Sequence, residues 1–115
     1  MYWPQVNQLG YAASKAALST GMLFLAKELG ASAIRVNTVV PTWIWGAAVE
    51  GYIRHSAAER GVPERELIDE ITAGMAISEI STEADVANAV VFLCSERARM
   101  ITGQSLLVNA GEMFR

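Results

Sequence analysis

Strand-like segments that alternate with helical ones are the feature that most constrains the fold of this chain. Residues 33 to 40, AIRVNTVV, are dense in β-branched side chains and stop at Pro41, which cannot donate to a sheet ladder, so they predict a buried strand. Residues 104 to 109, QSLLVN, predict a second, short strand. Strands separated by helices pair in parallel through right-handed crossovers. The order therefore predicts half of a doubly wound α/β sheet, since two strands alone do not make a stable sheet.

A long helix is predicted before the first strand. Residues 11 to 29, YAASKAALSTGMLFLAKEL, are rich in Ala and Leu and stop before Gly30, a residue type favoured just past a helix end. Residues 1 to 10 lack any period and predict a loop leading into this helix. Small residues recur every four positions and form a stripe that another backbone could approach closely, at Ala13, Ala17 and Gly21.

An insert of two helices separates the predicted strands. A Trp-rich loop at residues 42 to 46 is followed by a helix to about Arg60 that Gly61 closes, and a second helix starts at Pro63. Because a long connection of this kind is often functional, residues from about 47 to 80 are predicted to act as a mobile lid over a substrate. Thr82-x-x-Asp85 then predicts a capping box at the start of a helix that runs to about Glu96.

Composition narrows the classes of partner. Hydrophobic residues make up 52% of the chain, above the usual share, which indicates that another chain or segment covers part of this surface. The net charge of -3 is scattered, so no nucleic-acid patch is predicted. The one cysteine, Cys94, lies in an apolar run and is expected to be buried, and the one histidine, His55, is expected on a helix surface without a metal role. With no leader-like or membrane-spanning pattern, the cytoplasm is the expected compartment.

Tyr11 and Lys15 are the first candidate catalytic pair. Four residues apart on a helix, they project from one face and can reach the same small volume. A phenol has a pKa near ~10, and a fixed ammonium a few ångströms away favours the phenolate, which can exchange a proton with a substrate oxygen. Taken alone, however, a tyrosine and a lysine four residues apart on a helix are more often an ordinary surface pair.

Three segments that occur in order along the chain favour the catalytic interpretation over the surface pair. YAASKAAL, RVNTVVP and ITGQSLLVNAG together resemble successive segments of the short-chain dehydrogenase/reductase family, over nearly the whole chain from Gly10 to Glu112. The resemblance implies an oxidoreductase that transfers a hydride between NAD or NADP and an alcohol or carbonyl substrate. It implies that Tyr11 is the proton donor or acceptor. It also implies that Lys15 assists the tyrosine and binds the nicotinamide ribose.

The resemblance also implies cofactor contacts after the first strand, and two departures from the family. Pro41, Thr42 and Ile44 are carried over beside the nicotinamide, but the family usually has glycine where Thr42 stands and often threonine where Gly46 stands. In addition, no Gly-x-Gly-x-x-Gly turn occurs in the sequence. The chain is therefore expected to be the C-terminal half of the Rossmann-like domain, with the cofactor-binding half absent from it, and to be inactive in isolation.

Aromatic residues of the insert are candidate substrate contacts. Trp43, Trp45 and Tyr52, together with Met75, follow the end of a strand, where α/β sheets bind ligands, although core packing of the insert would explain them equally well. Acidic residues of the second insert helix are expected to form a solvated face, at Glu64, Glu66, Asp69 and Glu70.

Two functions from different classes stay open at this point. The resemblance favours an NAD(P)-dependent enzyme that forms a dimer or tetramer when full length, through the helix of residues 11 to 29 and the terminal strand. The alternative is a non-catalytic remnant that serves as a packing or interaction module. Neither the substrate nor the choice between NAD and NADP can be read from the residues present.

Overall fold

The computed structural model describes residues 8 to 114, which divide into two compact units. The first unit runs to Thr38 and resumes over Arg99–Ser105; the second comprises Val39–Ala98 and the residues from Leu106 onward. In chain order the elements are α1 (Leu9–Leu29), β1 (Thr38–Pro41), β2 (Ile44–Trp45), α2 (Ala47–Arg60), α3 (Glu64–Thr72), β3 (Ser81–Thr82), α4 (Glu83–Cys94) and β4 (Ser105–Val108). Most of the predicted loop at residues 1 to 10 lies outside the described residues, and its end is already helical.

Helix α1 confirms the predicted first helix. It begins two residues earlier than expected and ends at Leu29, directly before Gly30, as predicted. Gly30 keeps a right-handed backbone with φ of -59°. The chain then makes a short 3-10 turn over Gly30–Ser32, and Ala33 takes the left-handed conformation with φ of 57°. Only Met22 and Ala26 of this helix are buried. Most of its apolar surface is therefore exposed in the described part of the chain.

Strand β1 is shorter and less buried than predicted. It begins at Thr38 rather than Ala33, and all four of its residues are half-buried. The residues before it bind the segment around Ile101 through side chains: the Val36 N–H donates to the Thr102 hydroxyl at 3.0 Å, and the Asn37 amide donates to the Ile101 carbonyl at 2.9 Å. Side-chain bonds therefore interrupt the backbone ladder over this stretch, which explains why the β-branched pattern overestimated the strand.

Strand β4 confirms the predicted terminal strand and pairs with β1 in a two-stranded sheet. Just before the strands, the Gly103 N–H donates to the Val36 carbonyl at 2.7 Å, and the Thr38 N–H donates to the Gln104 carbonyl at 2.8 Å. Partner numbers rise together along both segments, which is the parallel sense. The carboxyl ends of the two strands therefore lie at the same edge of the sheet.

A short second strand pair was not predicted. Ile44 pairs with Ser81 and Trp45 pairs with Thr82, again in parallel, so β2 and β3 join the two ends of the insert. Each strand has only two residues, too few for an alternating pattern to be recognised in a sequence. The insert is therefore closed at its base rather than being an open loop.

Helices α2 and α3 form a helical hairpin with a small core of its own. The buried members of this core are Ile53, Ala57 and Leu67, and the partly buried side chains that pack around them are Val49, Val62, Ile68, Ile71 and Ile80. Gly61 ends α2 in the left-handed conformation, with φ of 65°, as predicted. Across the hairpin the Arg60 guanidinium donates to both carboxylate oxygens of Glu70 at 2.8 and 2.7 Å. This fork lowers the pKa of Glu70 through the hydrogen bonds from Arg60.

Helix α4 begins with the predicted capping box. The Thr82 hydroxyl accepts from the Asp85 N–H at 3.2 Å, and the Asp85 carboxylate accepts from the Thr82 N–H at 2.7 Å. The hydrogen bonds from the Thr82 backbone N–H and hydroxyl lower the pKa of Asp85. The helix ends at Cys94, and the prediction that this cysteine is buried is wrong, because its side chain is exposed. The surrounding apolar run is itself largely exposed, with Val91 at 67%.

The described residues leave a large apolar surface uncovered. Exposed large side chains include Leu9, Leu18, Phe24, Val91 and Met100. This distribution agrees with the expectation that another chain or segment covers part of the protein. Between residues 8 and 114, no helix combines the length and the hydropathy needed to cross a membrane.

Candidate functional site

Tyr11 and Lys15 lie on one face of α1, one turn apart, in the first unit. The Lys15 ammonium is 5.5 Å from the centroid of the Tyr11 ring, within the range of a cation–π contact. Ser14 between them donates its hydroxyl back to the Tyr11 carbonyl at 2.8 Å, a bond within the helix that leaves the phenol untouched. Tyr11 is 62% exposed, so its hydroxyl is accessible to a ligand in the described part of the chain.

The three predicted cofactor contacts lie in the second unit, at the carboxyl end of β1. Pro41 is the last residue of the strand, and Ile44 begins β2, where pairing with Ser81 fixes its backbone. Between them the Thr42 hydroxyl is buried without a hydrogen-bond partner. A buried polar atom in this condition is unusual in a folded protein and indicates a partner from outside the described residues.

Gly46, where the family often has threonine, is in contact with an acidic side chain. It precedes the first residue of α2, and a Cβ added there would lie 3.3 Å from Oε1 of Glu83. A threonine at position 46 would therefore require the Glu83 carboxylate to move.

The candidate substrate contacts separate into two groups. The rings of Trp43 and Tyr52 lie 5.8 Å apart at 44°, so the loop after β1 contacts α2 through an aromatic pair. Trp45 is 37% exposed and lines a recess of about 260 Å³ with residues of α3 and the segment after it. Met75, in contrast, is buried, which favours the packing interpretation for that residue.

The turn after β4 was not recognised as part of a candidate site. Asn109 is buried and ties the turn together: its amide donates to the Met113 carbonyl at 3.1 Å, and its side-chain oxygen accepts from the Gly111 N–H at 3.1 Å. The Glu112 N–H closes the turn on the Asn109 carbonyl at 2.9 Å. One carboxylate oxygen of Glu112, Oε2, is buried and has no partner. The signal available in the sequence was Asn-Ala-Gly at the end of the predicted strand, since these residue types are typical of turns.

A cavity of about 470 Å³ borders β4 and this turn. It is lined by residues of the segment from Ile77 to Asp85 and by Leu106 to Gly111. The Ile77 N–H donates to the Ala110 carbonyl at 2.9 Å at one end of the cavity. This contact joins the end of the insert to the turn that carries Glu112.

The structure brings together some of the predicted residues and not others. Tyr11 and Lys15 share one helix face, and Trp43 and Tyr52 are in contact. Tyr11 and Lys15 belong to the first unit, and the other predicted site residues belong to the second. His55 is exposed as expected, and its Nε2 atom lies 3.5 Å from Oε1 of Glu59. Within residues 8 to 114, no group of three His, Cys, Asp or Glu side chains is arranged to hold a metal ion.

Comparisons with known proteins give a consistent result. A family described as Enoyl-(Acyl carrier protein) reductase matches residues 1–112. An acetoacetyl-CoA reductase of Rhizobium meliloti is 33% identical over 110 residues, which are 96% of this chain and 42% of that protein. The chain thus spans less than half the length of this curated relative.

Solved structures give the same result. A short chain dehydrogenase family protein from Francisella tularensis superposes with a TM-score of 0.85 at 25% identity, covering 96% of this chain and 46% of that one. A 4-hydroxyisoleucine dehydrogenase mutant complexed with NADH and succinate matches with a TM-score of 0.75 at 28% identity, over 90% of this chain and 39% of that one. The described elements therefore reproduce part of a Rossmann-like α/β fold.

Proposed function

This chain belongs to the short-chain dehydrogenase/reductase family, and from that premise we propose that it is the catalytic and substrate-lid half of an NAD(P)-dependent oxidoreductase. The reaction is the interconversion of an alcohol and a carbonyl group. The observation that carries the proposal is the Tyr11–Lys15 pair, with an accessible phenol and an ammonium 5.5 Å from its ring. The similar proteins are named as reductases and dehydrogenases, which supports this class of reaction.

Tyr11 and Lys15 have distinct roles in this proposal. The Tyr11 hydroxyl donates its proton to the carbonyl oxygen during reduction and accepts it back during oxidation. The Lys15 ammonium, on the same helix face, stabilises the phenolate that remains after proton donation. Lys15 also donates to the nicotinamide ribose. Both side chains are mounted on a long helix, which holds them more rigidly than a loop would.

The residues after β1 are suited to the nicotinamide end of a dinucleotide. NAD or NADP, when bound, supplies or accepts the hydride. The buried Thr42 hydroxyl lacks a partner and can donate to or accept from a carboxamide. Ile44 offers a backbone that β2 pairing already fixes, and Pro41 limits the conformations of the chain before it. These features support a cofactor contact here. The aromatic pair of Trp43 and Tyr52, with Trp45, is proposed to line the substrate side.

The direct test is to replace Tyr11 by phenylalanine, which lacks the phenol hydroxyl. The chain is joined to the part of the Rhizobium meliloti reductase that precedes the aligned segment, and NADH and NADPH oxidation is followed with a panel of small ketones. Tyr11→Phe removes one hydroxyl from an otherwise unchanged ring and is expected to reduce kcat by about 10²-fold or more. Ser14→Ala is the control, because it removes one hydroxyl from the same helix, and that hydroxyl is bonded to the Tyr11 carbonyl and has no role in the proposal.

The test also distinguishes the second candidate function, a non-catalytic interaction module. The exposed apolar surface of α1, including Leu18 and Phe24, favours that candidate because such surface needs a partner whether or not catalysis occurs. An interaction module predicts that the joined protein folds but has no activity with any ketone. If instead Tyr11→Phe reduces kcat no more than Ser14→Ala does, the assignment of Tyr11 is wrong.

A further inference from the structure

A recess of about 420 Å³ at the start of α2 has no assigned role in the proposed reaction. All of its lining residues belong to the second unit, and they are Ile44, Gly46, Ala47, Ala48, Glu83 and Val86. Ile44 is one of the three residues proposed to contact the nicotinamide end of the cofactor. The recess therefore adjoins that end of the proposed site through a shared residue, within one unit.

Gly46 leaves open the space between the start of α2 and the Glu83 carboxylate. A Cβ at this position would lie 3.3 Å from Oε1 of Glu83, so a side chain here would fill part of the recess. The backbone of Gly46 is extended, with φ of -176°, which is a conformation that other residues also adopt. The absence of a side chain at Gly46 therefore provides room beside the carboxylate rather than relief of backbone strain.

The lining of the recess offers hydrogen-bonding groups of both kinds. Helix α2 begins at Ala47, and no side chain of the described residues caps it, so the N–H groups of its first turn have no partner within the helix. The Glu83 carboxylate can only accept hydrogen bonds, and it makes no hydrogen bond or ion pair with another described residue. A ligand group that satisfies both must carry an acceptor and a donor close together.

A primary carboxamide has this combination, because its oxygen accepts hydrogen bonds and its NH2 group donates them. A phosphate could accept from the N–H groups of α2, but the negative charge of Glu83 would repel it. The nicotinamide ring is the part of NAD and NADP that carries a carboxamide. The recess is therefore suited to the nicotinamide end of the dinucleotide and not to its pyrophosphate.

We propose that Glu83 is a cofactor-binding residue whose carboxylate accepts a hydrogen bond from the NH2 group of the nicotinamide carboxamide. This inference rests on the proposed function, because it concerns the cofactor of that same site. Glu83 is exposed in the described part of the chain, so a bound nicotinamide ring would displace water from its carboxylate and strengthen the hydrogen bond. A dinucleotide without the NH2 donor would leave the covered carboxylate unpaired, and Glu83 therefore discriminates against it.

NAD and 3-acetylpyridine adenine dinucleotide form the probe pair, since the second has a methyl group in place of the carboxamide NH2. Their Kd values are measured by isothermal titration of the joined protein, which reports binding without turnover. Glu83→Ala is expected to weaken NAD binding about fivefold and not to weaken binding of the analogue, because only NAD has the donor. Glu64→Ala is the matched control: Glu64 is also exposed and is also the first residue of its helix, but it does not line the recess.

Gly46→Ala is a second variant, because its methyl group enters the recess without straining the backbone. It is expected to weaken binding of both dinucleotides about fivefold, since it fills space that the carboxamide and the acetyl group would both need. The ratio of the two Kd values should therefore stay as in the wild type.

Three results would overturn the inference and leave the proposed function intact. They are a ratio of the two Kd values that is unaltered in Glu83→Ala, an equal change of that ratio in Glu64→Ala, and wild-type affinity for both dinucleotides in Gly46→Ala. If the joined protein binds neither dinucleotide, the proposed function and this inference both fail. If Tyr11→Phe keeps wild-type turnover while the ratio responds to Glu83→Ala, the assignment of Tyr11 fails and that of Glu83 stands.

Discussion

Substituting alanine at Gly111 should destabilise the protein more than the same change at Gly61, although both glycines have a left-handed backbone. Their φ values are 74° and 65°, so each alanine incurs the cost of a left-handed residue, about 1–2 kcal/mol. At Gly61 no atom lies within 4 Å of the added Cβ. At Gly111 the added Cβ would lie 2.6 Å from the Cβ of Ala76 and 3.4 Å from its backbone nitrogen.

The difference between the two variants therefore measures the contact with Ala76. Two carbon atoms pack at about 3.5–4.0 Å, so the turn after β4 must move by roughly 1 Å to admit the new methyl group. Overpacking of this kind typically costs about 1–3 kcal/mol. We expect the free energy of unfolding to fall by about 2–5 kcal/mol in Gly111→Ala and by about 1–2 kcal/mol in Gly61→Ala.

Urea denaturation followed by far-UV circular dichroism gives both values. With a slope of about 1–3 kcal/mol/M, the midpoint of Gly111→Ala should lie roughly 1 M below that of Gly61→Ala. Gly51→Ala is a third variant with the opposite expected sign: Gly51 is inside α2 with open space around it, so alanine should stabilise by up to about 1 kcal/mol. Equal midpoints for the variants at Gly111 and Gly61 would refute the packing argument, whatever the value for Gly51.

Four further predictions concern the chain as a whole. Isothermal titration of the 115-residue chain should show no saturable binding of NAD or NADP, because the sequence has no glycine-rich turn to bind the pyrophosphate; a micromolar Kd would contradict this. Stability should be constant from about pH 7 to 5 and fall below about pH 4, because carboxylates with a lowered pKa stabilise the fold only while ionised. Asp85→Asn combined with Glu70→Gln should flatten that acid limb in urea titrations. Amide hydrogen exchange should be faster in the insert, residues 47 to 80, than in α1, and equal protection would count against a lid. Light scattering of the joined protein should give a dimer or tetramer, and a monomer at micromolar concentration would contradict the predicted packing through α1 and the terminal strand.

Features that depend on a few adjacent residues could be predicted from the sequence. The capping box of Thr82 and Asp85 forms as expected, because its two hydrogen bonds are made within four residues of each other. The end of α2 at Gly61 could be predicted for the same reason: it depends on one residue with a left-handed backbone, which glycine adopts without strain. The parallel pairing of β1 with β4 followed from the order of the elements.

Features that depend on residues distant in the sequence could not be predicted. The first strand starts at Thr38 rather than Ala33, because the Val36 N–H donates to the Thr102 side chain instead of to a backbone carbonyl. This partner is 66 residues away along the chain, so the sequence around residue 33 could not indicate it. Cys94 is exposed because no described residues cover the side of α4 that carries it. An apolar run in a sequence does not show whether the segment that would cover it is present. The Tyr11–Lys15 contact was expected from helix spacing, whereas the role of Asn109 depends on a turn whose geometry a sequence only suggests.

The hairpin of α2 and α3 has a consequence for how proteins of this kind diversify. Its core of Ile53, Ala57 and Leu67 and its Arg60–Glu70 fork are both contained within the hairpin, and β2 and β3 close its base. A segment that brings its own core and its own ion pair can be exchanged between related enzymes without redesigning the sheet beneath it. Transplanting residues 44 to 82 should therefore transfer a substrate preference as a cassette, in the way that loops are grafted between antibodies.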